Sequence, residues 1–222
     1  MAEKYGEIPP RFTKQWWDYV WYYYKWHITI TVFAIIIAAV TIVQCATRTR
    51  YDMTVVYAGH MNYSDDEVTR LQELLSEHIT DIDENGEKNV MFMPLMFVDN
   101  PGSEEYDYAM QTKLDLSFTD DYTFIYLMDK SEAELYLQRE SIADTFENTD
   151  LYAKNTNAEI LRAPDGTGYA VSLNGSALLK NNNIYCEDLY ILIAKCNDND
   201  EERAISHRDA LNTARELIKG EG

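Results

Sequence analysis

The residues of this chain whose types and spacing could do chemistry stand at the ends of apolar runs. His60 follows the run Asp52–Ala58 (DMTVVYA) and Gly59. An imidazole there is a ligand-binding or acid–base group if a carboxylate meets it, and a solvated loop histidine if none does. Asn62 lies just beyond it, and Asp99 and Asp129 close two later apolar runs. Separately, Asp81-Ile82-Asp83-Glu84-Asn85-Gly86-Glu87 sets side-chain oxygens at alternate positions, on Asp81, Asp83, Asn85 and Glu87, with Gly at the sixth. This is the front half of an EF-hand loop. The twelfth position is Phe92 instead of a bidentate Glu, and the eighth is Lys88. Two readings stand: a weak Ca2+ site, or an acidic turn built on Asn85-Gly86. No other cofactor is expected.

Catalytic signatures are otherwise missing from the sequence. His27, His60, His78 and His207 show no HExxH or HxH spacing for zinc. Asn174-Gly175-Ser176-Ala177 is not a nucleophile elbow, and neither a P-loop nor a G-x-G-x-x-G occurs. Cys186 and Cys196 flank an apolar run that, extended, would hold them roughly 33 Å apart, so buried thiols are expected and not a disulfide.

The elements that position these residues alternate. Asp52–Ala58 reads as a strand buried on both faces. Ser64-Asp65-Asp66-Glu67 is a capping box, followed by Val68, Leu71, Leu74, Leu75 and Ile79 at helical spacing. Val90–Val98 predicts a second strand, on an edge or at a bulge because of Pro94. Ser103–Ser117 predicts a helix with Tyr106, Met110 and Leu114 in register; Tyr122–Met128 predicts a third strand, and Ser131 opens another helix. A turn at Asp165–Gly168 precedes a strand at Tyr169–Leu173. A strand at Leu189–Lys195, an acidic loop at Asn197–Glu202 and a helix capped at Ser206 complete the pattern. Three βα units followed by β, β, α imply an α/β fold with one mostly parallel sheet flanked by helices. Ligands of such sheets bind beyond the carboxyl ends of the strands, here Gly59–Tyr63, Asp99–Ser103 and Asp129–Ser131.

The order of Asp52–Ala58, Val90–Val98, Met110–Thr119, Tyr122–Met128 and the segment Gly168–Ile184 (GYAVSLNGSALLKNNNI) resembles the first lobe of a type 2 extracellular solute-binding protein. The whole chain is also similar to single-pass membrane proteins of Gram-positive bacteria that carry a Trp/Tyr-rich stretch before the span. The resemblance implies a single solute-binding-like lobe, since residues 174–222 are too few for a second one. It transfers no ligand residues.

Charge divides the chain. Residues 1–50 hold six basic and three acidic residues (+3) and 51–222 hold 13 and 35 (−22), which sum to the net −19. The acidic excess excludes nucleic acid as a partner, because phosphates need a basic surface. From Trp26 to Thr47 there is no charged residue, and this stretch as a helix would span roughly 33 Å, enough for a hydrocarbon core. Trp16–Trp26 (WWDYVWYYYKW), with Trp16, Trp17, Trp21, Tyr24 and Trp26, reads as an interfacial collar against membrane lipid, and Pro9-Pro10 with Thr13 as the helix start. The polar segment before the apolar run is longer than a secretion signal's n-region, so an uncleaved anchor is expected. Arg11, Lys14 and Lys25 against Arg48 and Arg50 place the N-terminus in the cytoplasm.

The expected organisation is a cytoplasmic and interfacial segment (1–25), a transmembrane helix (26–47), a short tether (48–51) and an extracytoplasmic α/β domain (52–222) at the cell membrane. The expected function is a membrane-anchored binding or interaction module, an accessory subunit of a transporter or cell-envelope complex, with a membrane-protein partner or self-association and an unassigned small-molecule ligand. The alternative is an extracytoplasmic enzyme using the rim near His60.

Overall fold

The computed structural model describes residues 9–46, 51–82, 84–98, 100–120, 122–137, 145–154, 157–196 and 200–220. The chain divides into two compact units, Met1–Thr49 and Arg50–Gly222.

The first unit is one helix, α1 (Lys14–Ala46). Thr13 starts it: its hydroxyl accepts the N–H of Trp16 at 3.2 Å, with Pro10 just before. At 33 residues α1 is about 50 Å long, enough to cross a membrane. Its aromatic half faces outward, with Trp17, Trp21, Tyr24 and Trp26 exposed and Trp16 half-buried against Trp17 and Phe12.

The second unit contains β1 (Met53–Gly59), α2 (Asp65–Ser76), β2 (Val90–Met96), α3 (Glu104–Ser117), β3 (Thr123–Asp129), α4 (Lys130–Leu137), β4 (Ile160–Arg162), β5 (Gly168–Ser172), α5 (Ala177–Asn181), β6 (Leu189–Ile193) and α6 (Glu201–Ile218). The strands form one sheet in the order β2-β1-β3-β6-β5-β4. The predicted parallel arrangement holds across β2, β1 and β3. Beyond β3 the sheet is antiparallel: β6 pairs with β3, and β5 lies between β6 and β4. The sheet is therefore mixed. Hydrophobicity alone does not set this direction, because β6 is buried along its whole length and reads the same either way.

Both faces of the central strands are covered. Thr80 donates its N–H to Asp209 of α6 at 2.6 Å, and Tyr136 of α4 donates to Asp115 of α3 at 3.0 Å, tying helices together in pairs. Right-handed crossovers from β1 to β2 and from β2 to β3 leave in opposite directions, which puts α2 and α3 on opposite faces. Where β3 passes β1 the register jumps from Thr54↔Thr123 to Val55↔Ile125, so Phe124 is an extra residue. The bulge lets Phe124 meet His207 of α6 while Tyr126 stacks on Phe118.

The capping box forms as predicted: Ser64 Oγ accepts the N–H of Glu67, and Glu67 Oε2 accepts from the N–H and hydroxyl of Ser64. Leu71, Leu74, Leu75 and Ile79 are buried, and Val68 is packed against them. Met110 and Leu114 of α3 are buried, but Tyr106 is exposed. Pro94 sits exposed on β2, the predicted edge strand. The last helix starts earlier than its expected cap at Ser206. Asp200 caps it, accepting from Glu202 and Arg203, and Glu201 and Glu202 form its acidic first turn. Ser206 is buried inside the helix, its hydroxyl bonded to the carbonyl of Glu202.

Candidate functional site

The chain leaves β1 for β2 on one side and crosses to β3 on the other, so β1 and β3 are neighbours whose onward connections diverge. A crevice opens where such connections part, beyond the carboxyl ends of the two strands. His60 lies just past the end of β1, and Asp129 is the last residue of β3.

They meet there. Oδ2 of Asp129 accepts from the main-chain N–H of His60 at 3.0 Å and lies 2.6 Å from its Nδ1. The other oxygen, Oδ1, accepts from the hydroxyl of Ser131 at 2.9 Å and the N–H of Glu132 at 3.0 Å, which caps α4. Because a carboxylate oxygen accepts, Nδ1 is the donating nitrogen of this contact. His60 is a third exposed by its side chain, and Asp129 is more deeply set.

Gly59 makes the approach possible. A Cβ at this position would stand 2.5 Å from the Tyr57 hydroxyl and 2.9 Å from Asp129 Oδ2, so any side chain would push the two apart. The Tyr57 hydroxyl accepts the N–H of Met61 at 2.8 Å, which folds the loop after His60 back over the end of the strand. Tyr57 is itself 1% exposed, with its ring edge-on to Tyr63 and stacked with Phe92. Burial, with a smaller contribution from the Asp129 charge, pushes its phenol up to about 12, so it remains protonated and able to donate.

The third wall comes from the segment entering β6. Because β6 runs antiparallel to β3, its first residue, Leu189, stands beside Asp129, and Tyr185, Glu187 and Asp188 reach the same rim. The segment is pinned from the β1 side: Tyr63 donates its hydroxyl to the carbonyl of Tyr185 at 3.1 Å, and Arg70 reaches the carbonyl of Asn183 at 3.2 Å. The Glu67 carboxylate also faces the backbone of this segment at Tyr185. The carboxyl is held below its ordinary value, first by the backbone and hydroxyl of Ser64 and then by Tyr185. Burial raises the Tyr63 phenol and the Cys186 thiol. Asn183 and Asp188 have left-handed backbones (φ 52° and 60°) at either end of the segment, a conformation Asn and Asp tolerate better than most residues. The cleft, open to solvent on one side, has a volume of about 260 Å3.

The chain matches no family model, no curated protein and no solved structure. What the site can do is read from its own chemistry.

Of the residues expected on the rim, His60 and Asp129 come together, and Ser131 lines the cleft with them. Asn62 is exposed beside His60 and is not part of the cleft wall. Asp99 lies outside the described residues; no described residue of the connection after β2 lines the cleft, although Phe97 packs its ring 6.1 Å from that of His60. The acidic segment after α2 is a closed turn where it is described. Asp81 accepts the N–H groups of Asn85 and Gly86, and Asn85 accepts that of Glu87; Asp83 lies outside the described residues. Among the described residues no three His, Cys, Asp or Glu side chains converge as a metal set. Cys186 and Cys196 are free thiols, the first buried and the second half-buried.

Tyr63 lines the cleft within the expected rim, whereas Tyr57, Tyr185, Glu187, Asp188 and Leu189 are wall residues that sequence reasoning missed. The polar run Asn181–Asn183 before Ile184-Tyr185 was a turn signal pointing to them, but only the direction of β6 places that turn at this rim.

Proposed function

We propose that this protein is a membrane-anchored extracytoplasmic binding module in which α1 is the anchor and the crevice between β1 and β3 is the recognition site. The observation that carries the reading is the convergence of three separate segments on one cleft at the switch point of the sheet: the end of β1, the end of β3 and the entry to β6. The likeness of the strand order to one lobe of the type 2 extracellular solute-binding proteins supports the same reading. So does the acidic charge of the residues after α1, which suits a basic partner surface in a transporter or cell-envelope complex.

A photocrosslinking residue at Met61, an exposed wall residue, tests this in the full chain in native membranes. Met61 should give a discrete adduct that the same group at Tyr108, exposed on α3 and away from the cleft, does not. Equal adducts from both positions, or none from Met61, would remove the crevice as the recognition site.

A second reading is favoured by one observation, the 2.6 Å contact of His60 Nδ1 with Asp129. A carboxylate that orients an imidazole is also how an enzyme prepares a general base. The two readings separate at His60→Ala: an enzyme loses its turnover, whereas a binding module keeps the Met61 adduct.

A further inference from the structure

The segment that carries the third wall is held differently from the two strand ends it meets. Its entry is fixed by the end of α5: the N–H groups of Asn183 and Ile184 donate to the carbonyls of Lys180 and Leu179, both at 3.0 Å, and the left-handed Asn183 stops the helix. Its exit is fixed at Leu189, the first residue of β6, which pairs with Asp129. Between these points, among the described residues, Tyr185, Glu187 and Asp188 make no main-chain to main-chain hydrogen bond, and the Cys186 carbonyl accepts only from Leu189, at 3.4 Å.

Side chains hold these residues instead. The Tyr63 hydroxyl donates to the carbonyl of Tyr185 at 3.1 Å, and the Glu67 carboxylate faces the same main chain. Of the side chains at 185–188 only that of Cys186 is buried, and a thiol is a small plug whose withdrawal costs less than that of a Leu or Phe. Asp188 keeps a left-handed backbone that its surroundings impose, and opening relaxes it. A segment with few main-chain bonds and little burial opens at lower cost than the sheet it borders.

We infer that residues 185–188 form a strap that opens and closes over the crevice, with the Tyr63 hydroxyl as its latch. The inference rests on the binding-module reading and adds the regulation of that site. Closed, the strap sets Tyr185, Glu187 and Asp188 on the cleft wall together with Met61 and Tyr63 of the β1 side. Open, it withdraws the first three, so an occupant that touches both sides binds the closed strap more tightly and holds it shut. The latch lies within the occupant's reach, because Tyr63 lines the cleft and packs edge-on against Tyr57 with ring centres 5.0 Å apart. Entry and exit then require the latch bond to break, and the strap sets how long an occupant stays.

The buried Cys186 thiol reports the opening. The chain has three cysteines, and Cys45→Ser with Cys196→Ser leaves Cys186 as the single thiol of the full chain in lipid nanodiscs. Its rate of modification by dithiobis(nitrobenzoate) measures the population of the open strap. Tyr63→Phe, which keeps the ring and removes the latch hydroxyl, should raise this rate about three- to tenfold, as loss of one hydrogen bond predicts. Leu161→Ala, which loosens β4 at the far edge of the sheet and destabilises the whole unit, should leave the rate unchanged. In native membranes Tyr63→Phe should also lower the yield of the Met61 adduct by a few-fold. An unaltered thiol rate in Tyr63→Phe, or an equal rise in Leu161→Ala, would overturn the strap, since the segment would then open only with the unit as a whole. A raised thiol rate with an unaltered Met61 adduct would overturn the gating. Failure of the underlying reading is distinct: it removes the Met61 adduct from the parent chain itself, and takes the gating with it.

Discussion

Asp129 holds His60 through both its main-chain N–H and its imidazole Nδ1, at 3.0 and 2.6 Å, across 69 residues of sequence. The same carboxylate caps α4 through Glu132. One side chain thus joins the exit of β1 to the exit of β3, and the crevice between these strands keeps its shape for the same reason that α4 starts where it does.

Asp129→Ala should therefore cost more than a single surface hydrogen bond. Losing a helix cap together with hydrogen bonds to a charged acceptor predicts a loss of about 2–4 kcal/mol, against about 0.5–1.5 kcal/mol for His60→Ala, which leaves the cap in place. Chemical denaturation followed by far-ultraviolet circular dichroism measures both. Equal costs for the two variants would show that the shared carboxylate does not couple the two strand ends.

Gly59→Ala should be destabilising although the position is on a regular strand. The new methyl meets the Tyr57 hydroxyl first and Asp129 second, and forcing these apart predicts a loss of about 1–3 kcal/mol. Tyr57→Phe removes the nearest clashing atom, so in the double variant part of the loss should be recovered. Strict additivity of the two changes would place the clash elsewhere.

Acid should loosen the third wall through Glu67. Its folded-state pKa lies below the value of the unfolded chain, so the stabilisation it gives is present above that unfolded value and is lost as pH falls through the folded one. In Glu67→Gln the acid limb of the stability curve should be shallower below about pH 4.5, and amide exchange at Tyr185 should be faster at neutral pH. An unchanged acid limb together with unchanged exchange would mean that the capping box does not hold this segment.

How far the sequence reached is clearest at particular residues. The continuous apolar run of β1 and the capping box of α2 are local signals, and both formed as read, as did the placing of Pro94 on an edge. The pairing of His60 with Asp129 was half legible: the parallel βα pattern puts both residues on one rim, but which strand ends are neighbours is a matter of topology. Asp200 and Ser206 are both good N-cap residues, and the earlier one caps α6 with the acidic first turn behind it. Least legible was the wall of Tyr185, Glu187 and Asp188. It depends on β6 running antiparallel to β3, a long-range pairing that a fully buried strand does not write into its own residues.

The account depends most on the α/β unit lying outside the cell on the anchor formed by α1. Labelling of Lys113→Cys, an exposed position on α3, with a membrane-impermeant maleimide in intact cells tests this directly. The parent chain, whose described thiols in the α/β unit are buried at Cys186 and half-buried at Cys196, serves as the background. The account predicts modification of the variant before lysis, at a level that lysis does not increase. Protection of Lys113→Cys until the cells are broken would contradict it.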